Sequence, residues 1–211
     1  MNFKNKKYLI FDMDGTLVDS SKLLANSINY VRRALGLDKM DDEVILKAIN
    51  DESINPAKFF YESDNFEDYH NELFYEYYQT HYKDDLRLYP GAKELLEKLY
   101  KTHKLSLATN AHKRSAHTVL FTLGIEHYFD IIICGDDVTY SKPHPQMINM
   151  IIDFYQDKKE KFLMIGDSPK DKLCAQNAGI DFVLVKWGFS SFEKEENIIS
   201  SFDELEELLL K

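Results

Sequence analysis

The stretch FDMDGTLVDS, residues 11–20, continues directly from the apolar run Tyr8-Leu9-Ile10-Phe11. A short, uninterrupted apolar run of this kind reads as a buried strand. It delivers two carboxylates, Asp12 and Asp14, at its end. Side chains on a strand alternate between faces, so Asp12 and Asp14 point one way and Met13 the other. Two like charges this close repel and resist burial. Whatever offsets that cost has to come from the ends of other strands.

Apolar runs of strand length recur at 104–108, 130–134, 162–165 and 181–185, with helical patterns between them from residue 91 onward. Pro90-Gly91 leads into AKELLEKLYK, with Leu95, Leu96 and Leu99 on one face, and HKRSAHTVLFTLG stops at Gly124. Near-continuous apolar strands alternating with helices predict an α/β fold, a Rossmann-like, doubly wound parallel sheet with helices on both faces. Ser201-Phe202-Asp203-Glu204 is a capping-box signature for a last helix.

Residues 21–88 break this rhythm. They carry helical patterns only, over 21–36, 41–50, 56–63 and 65–82, with Leu24, Ile28, Val31 and Leu35 on one stripe of the first. The expected organisation is a core domain of residues 1–20 and 89–211, with an α-helical domain of 21–88 inserted after the first strand. Phe59, Phe60, Phe66, Phe74, Tyr77 and Tyr78 recur at helical spacing and read as the core of this insert.

The chain has 211 residues with a formal net charge of -10. That sign disfavours general binding to nucleic acid or anionic membranes, yet a metal and a few placed cations suffice for a small phosphorylated ligand. Cys134 and Cys174 have neither disulfide-framework nor metal spacing and read as reduced core residues. The apolar run near the N-terminus is too short for a signal peptide, and no stretch approaches a membrane span. The expected location is cytoplasmic.

In doubly wound sheets, ligands bind at the carboxyl ends of the strands. Strand 104–108 ends in Thr109-Asn110. Strand 130–134 is followed by Gly135-Asp136-Asp137 and then Ser141-Lys142-Pro143-His144-Pro145. Strand 162–165 ends in GDSPKD, residues 166–171. Ser168 suits an N-cap and Pro169 the first helical position, so Asp171 reads as the carboxylate of a capping box. Nothing in that cap requires Asp167, which instead supplies the missing partner of Asp12 and Asp14 around a hard divalent cation such as magnesium. Lys142 offers a fixed positive charge, Thr109 a hydroxyl and Asn110 an amide to the same anion. A carboxylate nucleophile, a second carboxylate for proton transfer, a metal and donors for developing charge suit phosphoryl transfer.

These four ordered motifs, DMDGT at 12–16, Thr109-Asn110, Lys142 in SKPHP and GDSPKD at 166–171, resemble the haloacid dehalogenase superfamily. The resemblance covers essentially the whole chain and is to the phosphatases with a helical cap inserted after the first motif. The opening LVDS and Val185-Lys186-Trp187-Gly188-Phe189 are similar to the phosphoglycolate phosphatase-like branch. The resemblance implies a magnesium-dependent phosphomonoester hydrolase acting on a small phosphate ester, as monomer or homodimer. It implies that Asp12 attacks phosphorus and that Asp14 protonates the leaving oxygen and then activates water. Gly15, Thr109, the backbone near Asn110 and Lys142 would hold the phosphoryl group. Asp12, the backbone carbonyl of Asp14 and Asp167 would bind magnesium, and Asp171 would support the metal site or orient Lys142.

Asp14 also separates this chain from the namesake dehalogenases, whose halide leaving group needs no proton. Ser21-Lys22-Leu23-Leu24-Ala25-Asn26 lacks the cap histidine of a β-phosphoglucomutase-like mutase, which shares all four motifs; that mutase and a nucleotide or sugar phosphatase are the alternatives. A non-catalytic phosphate sensor would not need the full set of reactive residues. For phosphoglycolate a cation is expected in the cap loop 50–58 to meet the substrate carboxylate. Lys58 is the candidate, with Arg32, Arg33 and Lys47 as alternatives and Asp51 and Glu52 opposing. The family's lysine after the second motif is offset here, since Ala111 and His112 precede Lys113.

Overall fold

The computed structural model describes residues 3–51, 53–190 and 197–210; Glu52 of the cap-loop expectation lies outside them. The chain divides into two compact units, Met1–Val18 with Leu88–Lys211, and Asp19–Arg87. The chain passes between them through two very short strands, β2 (Val18–Asp19) and β3 (Arg87–Leu88), which pair as a two-stranded sheet. No helix among the described residues is long and apolar enough to cross a membrane.

The larger unit is built on a parallel sheet whose strands are β1 (Tyr8–Phe11), β4 (Lys104–Ala108), β5 (Ile131–Ile133), β6 (Phe162–Gly166), β7 (Asp181–Val185) and β8 (Ile198–Ile199). Their order is β5-β4-β1-β6-β7-β8. This is the α/β Rossmann-like architecture expected from the strand–helix alternation, with the first strand central. All four residues of β1 are buried, which explains the continuous apolar run: a strand covered on both faces has no polar side. Tyr8 and Ile10 join a core with Met147, Ile148 and Ile151 of α7 (Gln146–Tyr155) and Cys174, Ala175 and Ala178 of α8 (Pro169–Ala178). Leu9 and Phe11 alternate to the opposite face and are fully buried there.

Register positions the chemistry. Phe11 lies level with Leu107 of β4 and Ile165 of β6. The residues that follow these strands, Asp12, Thr109 and Asp167, therefore emerge at one edge of the sheet. Asp12 keeps the ladder for one more bond, its N–H donating to the carbonyl of Ile165 at 2.9 Å. β1 itself ends at Phe11, so Asp12 and Asp14 lie in the turn beyond it rather than on a continuing strand. There Met13 is buried and Asp14 half-buried. Strand β5 is shorter than the run 130–134, because Asp130 is exposed and Cys134 leads into a tight turn over Gly135–Asp137.

The smaller unit comprises α1 (Ser21–Ala34), α2 (Asp42–Asn50), α3 (Pro56–Tyr61) and α4 (Asp68–Asp85). Asp41 and Asn55 cap α2 and α3 with their side chains. Ala25, Ile28, Val31, Ile45, Ala48, Phe60 and Tyr61 form its core, with Phe59 and Phe74 packed against it. Phe66 departs from the core reading of the aromatics: it is exposed, although it meets Tyr61 edge-on. Helix α4 starts three residues later than expected, at the point where the N–H of Glu67 donates to Nδ1 of His70. The segment 21–88 is not wholly helical, since β3 occupies its end.

Candidate active site

The turn after β1 is tight. Gly15 has φ +81°, and its N–H donates to the carbonyl of Val18 at 2.8 Å. The backbone there runs against the Asp167 carboxylate, which a Cβ on residue 15 would overlap, so the turn excludes a larger residue for both conformation and space. Beside it Asp12 is buried, and its Oδ2 accepts from the Thr16 hydroxyl at 3.3 Å.

Lys142 is the centre of the arrangement. Its ammonium donates to Asp12 Oδ1 at 2.6 Å, Asp171 Oδ1 at 2.6 Å and the carbonyl of Ala108 at 2.8 Å. An ammonium has three hydrogens, and these three acceptors take all of them. Burial by itself would lower the Lys142 pKa; attraction to Asp12 and Asp171 outweighs it and holds the group above its ordinary value, firmly charged.

Asp171 uses its two oxygens for different partners. Oδ2 accepts from the N–H of Ser168 at 3.1 Å and its hydroxyl at 2.6 Å, closing the capping box at the start of α8, while Oδ1 pairs with Lys142. Asp167, just after β6, is 1% exposed. Its Oδ2 accepts from the backbone N–H of Phe189 at 2.7 Å.

Carboxylate oxygens of Asp12, Asp167 and Asp171 lie within 4.8 Å of one another. Burial pushes Asp12 up to about 7, with Lys142 opposing and Asp171 adding to the rise. Burial, then the charges of Asp12 and Asp171, hold Asp167 well above the usual carboxylate range. Three buried carboxylates against one ammonium leave two formal negative charges in excess, the charge of one divalent cation. An all-oxygen donor set is what a hard cation takes. The residues therefore fit a metal of the magnesium type. The side chain of Asp14 is not part of this cluster.

Thr109 is buried, with its Oγ1 accepting from the N–H of Ala111 at 3.1 Å, which directs the hydroxyl hydrogen to another partner. The side chain of Asn110 meets the backbone of Lys142. Its Nδ2 donates to the carbonyl of Lys142 at 3.0 Å and its Oδ1 accepts from the Lys142 N–H at 3.0 Å. Both ends of the amide thus hold the Lys142 backbone, and one Nδ2 hydrogen is left over for another acceptor. Lys113 is likewise engaged, its Nζ 2.8 Å from Asp137 Oδ1 and its N–H donating to Asp136 Oδ1.

The cap cations separate on inspection. Lys58 is exposed in α3, with Nζ 3.4 Å from Asp64 Oδ1. Arg32 is buried and donates to the carbonyls of Asp38 and Phe60, so it serves the fold of the insert. Arg33 sits over the ring of Tyr30, 5.7 Å from its centroid, and Lys47 is exposed in the last turn of α2. Sequence reasoning assigned no role to Thr16, the Ala108 carbonyl or the Phe189 amide. Thr16 left a signal as the last residue of DMDGT and Phe189 as the end of the run from Val185, but the Ala108 and Phe189 groups act through the backbone, which no residue type announces.

The chain matches the haloacid dehalogenase-like hydrolase family over residues 9–185. It belongs to that family. The phosphoglycolate phosphatase of Vibrio parahaemolyticus is 32% identical over 221 residues, covering 99% of this chain and 97% of its own. That of Vibrio cholerae is 31% identical over 213 residues, covering 94% and 92%. A crystal structure from Haemophilus somnus, described as a predicted phosphoglycolate phosphatase, superposes with a TM-score of 0.85 at 27% identity, covering 97% of this chain and 98% of that one. The chain is thus an enzyme, a phosphatase-type hydrolase of this family.

Proposed function

We propose that this enzyme is a magnesium-dependent phosphomonoester hydrolase acting on a small phosphorylated metabolite, phosphoglycolate first among those to test, through an aspartyl-phosphate intermediate. The observation that carries the reading is the Lys142 ammonium 2.6 Å from both Asp12 and Asp171, with Asp167 completing a buried acidic cluster at the strand ends. The relatives' names supply the substrate class.

In this mechanism Lys142 fixes Oδ1 of Asp12, and Oδ2, which accepts a long bond from Thr16, is the oxygen that attacks phosphorus. A bond forms from that oxygen to phosphorus as the bond to the leaving oxygen breaks. Asp14 gives its proton to the leaving oxygen. It then takes one from the water that attacks the aspartyl-phosphate, which restores the Asp12 carboxylate and releases phosphate. Thr109 and the backbone after it donate to the phosphoryl oxygens, where charge develops. Asp12, the Asp14 carbonyl and Asp167 would hold magnesium, with Asp171 in support; its chemistry there is to neutralise the charge of the phosphoryl group and the carboxylates.

The test is phosphate release from a panel of phosphoglycolate, nucleoside monophosphates and hexose phosphates, with and without magnesium, beside Asp12→Asn as the blank. Magnesium-dependent release with a preference for phosphoglycolate, absent from Asp12→Asn, is the expected outcome. Equal release by that variant would remove Asp12 from the nucleophile's role. A preference for another ester would replace the substrate and leave the chemistry.

A further inference from the structure

The run Trp187-Gly188-Phe189, just past β7, touches both loops that carry the acidic cluster. The N–H of Phe189 donates to Asp167 Oδ2 at 2.7 Å. A Cβ at residue 188 would overlap Cβ and Oδ2 of Asp167 and the carbonyl oxygen of Gly15. Trp187 donates its indole N–H to the carbonyl of Thr16 at 2.9 Å. Its ring is anchored against Phe202 of α9 (Phe202–Leu210), with centroids 4.5 Å apart, and against Tyr89 at 6.5 Å. One segment therefore fixes the turn after β1 on one side and the Asp167 carboxylate on the other.

We infer that Trp187-Gly188-Phe189 is the positioning element of Asp167, and that it sets the affinity of this site for a divalent cation. A buried carboxylate beside two others is pushed away from them by their charge. It keeps one geometry only if something holds it there. The Phe189 amide supplies a charge-assisted bond that fixes Oδ2. Gly188 lets the backbone approach closely enough to make that bond, because any side chain at 188 occupies the space of the carboxylate. Gly15 leaves the matching space from the other side. Trp187 then sets the distance between the two loops, since its indole ties the Thr16 carbonyl to a segment anchored on α9. Groups that orient metal-binding carboxylates through hydrogen bonds typically change metal affinity by roughly 10–100-fold when lost.

The inference rests on the metal reading proposed above, and calorimetric titration of magnesium alone into substrate-free protein separates the two. Native protein should bind and Asp167→Asn should not. Gly188→Ala should bind roughly 10–100-fold more weakly, and half-maximal phosphate release should need correspondingly more magnesium. Trp187→Phe keeps an aromatic ring beside Phe202, loses the bond to Thr16 together with part of the indole's packing, and should bind several-fold more weakly. It decides the matter if circular dichroism shows that Gly188→Ala does not fold. Folded variants with native affinity would overturn the positioning role. Native protein that binds no magnesium would overturn the metal reading itself, and this role with it.

Discussion

At the scale of single residues, the site is held by groups that do no chemistry. Asn110 brackets the Lys142 peptide with two bonds, one given and one taken, each 3.0 Å. Lys142 in turn holds Asp12. Asn110→Ala removes both bonds and leaves a buried Lys142 backbone with less to fix it. Two neutral hydrogen bonds contribute roughly 1–3 kcal/mol to stability. The larger effect should be on turnover, because small misplacements of catalytic groups cost on the order of 100-fold. Steady-state kinetics should show kcat falling by about 10–100-fold with the fold intact; native kcat would mean that Lys142 is held without Asn110. The residue types of the site were legible in the sequence, because Asp12, Thr109, Lys142 and Asp167 each close a strand or sit in a strand-end loop. What Asn110 does was not. An amide offers donor and acceptor alike, and only the position of the Lys142 backbone decides which partners it meets.

Among elements, the loop between α7 and β6 shows how the central strand is secured at the end away from the site. Asp157 accepts from the Tyr8 hydroxyl at 2.9 Å, from the N–H of Lys158 at 2.8 Å and from Lys161 Nζ at 3.0 Å. The Lys161 bond first, then the Lys158 amide, hold its carboxyl down at about 2, below its ordinary 3.8. A lowered folded pKa means that the unfolded chain binds the proton more readily, so this contribution is complete above about 4 and is lost as pH falls through about 2. Asp157→Asn should therefore lower the denaturation midpoint at pH 7, and the gap from native should shrink between pH 4 and pH 2. A constant gap would show that the carboxylate's charge is not what stabilises the loop. The long elements were legible at this scale, since β1, β4 and β7 match their apolar runs and Ser168-Pro169 marks the start of α8. The two-residue strands β2, β3 and β8 were not. Pairs that short carry no periodicity and exist only because a partner strand lies beside them.

For the molecule as a whole, the acidic cluster costs stability when no cation balances it. Asp12, Asp167 and Asp171 are each at most 6% exposed, and Lys142 brings a full positive charge to Asp12 and Asp171. Burial without pairing is expensive for a carboxylate, and the upward displacement of Asp12 and Asp167 is the same cost seen as proton affinity. The doubly wound sheet tolerates this because Asp12 and Asp167 directly follow strands fixed by the ladder and Asp171 is held in the first turn of α8 by its capping box. The parallel sheet was readable from the strand–helix alternation, whereas the excess of two negative charges became visible only once three loops were brought to one edge. A ligand that binds only the folded state stabilises by about 2.7 kcal/mol at 100 times its Kd. For a chain of this size that corresponds to roughly 5–10 °C in Tm. Saturating magnesium should raise the native Tm by that amount over the value in chelator. Asp167→Asn keeps an oxygen for the Phe189 amide and removes one charge. It should melt higher than native protein in chelator and gain little from magnesium. If it melts lower in chelator and still gains the full shift, the repulsion is balanced within the protein and the cation binds elsewhere.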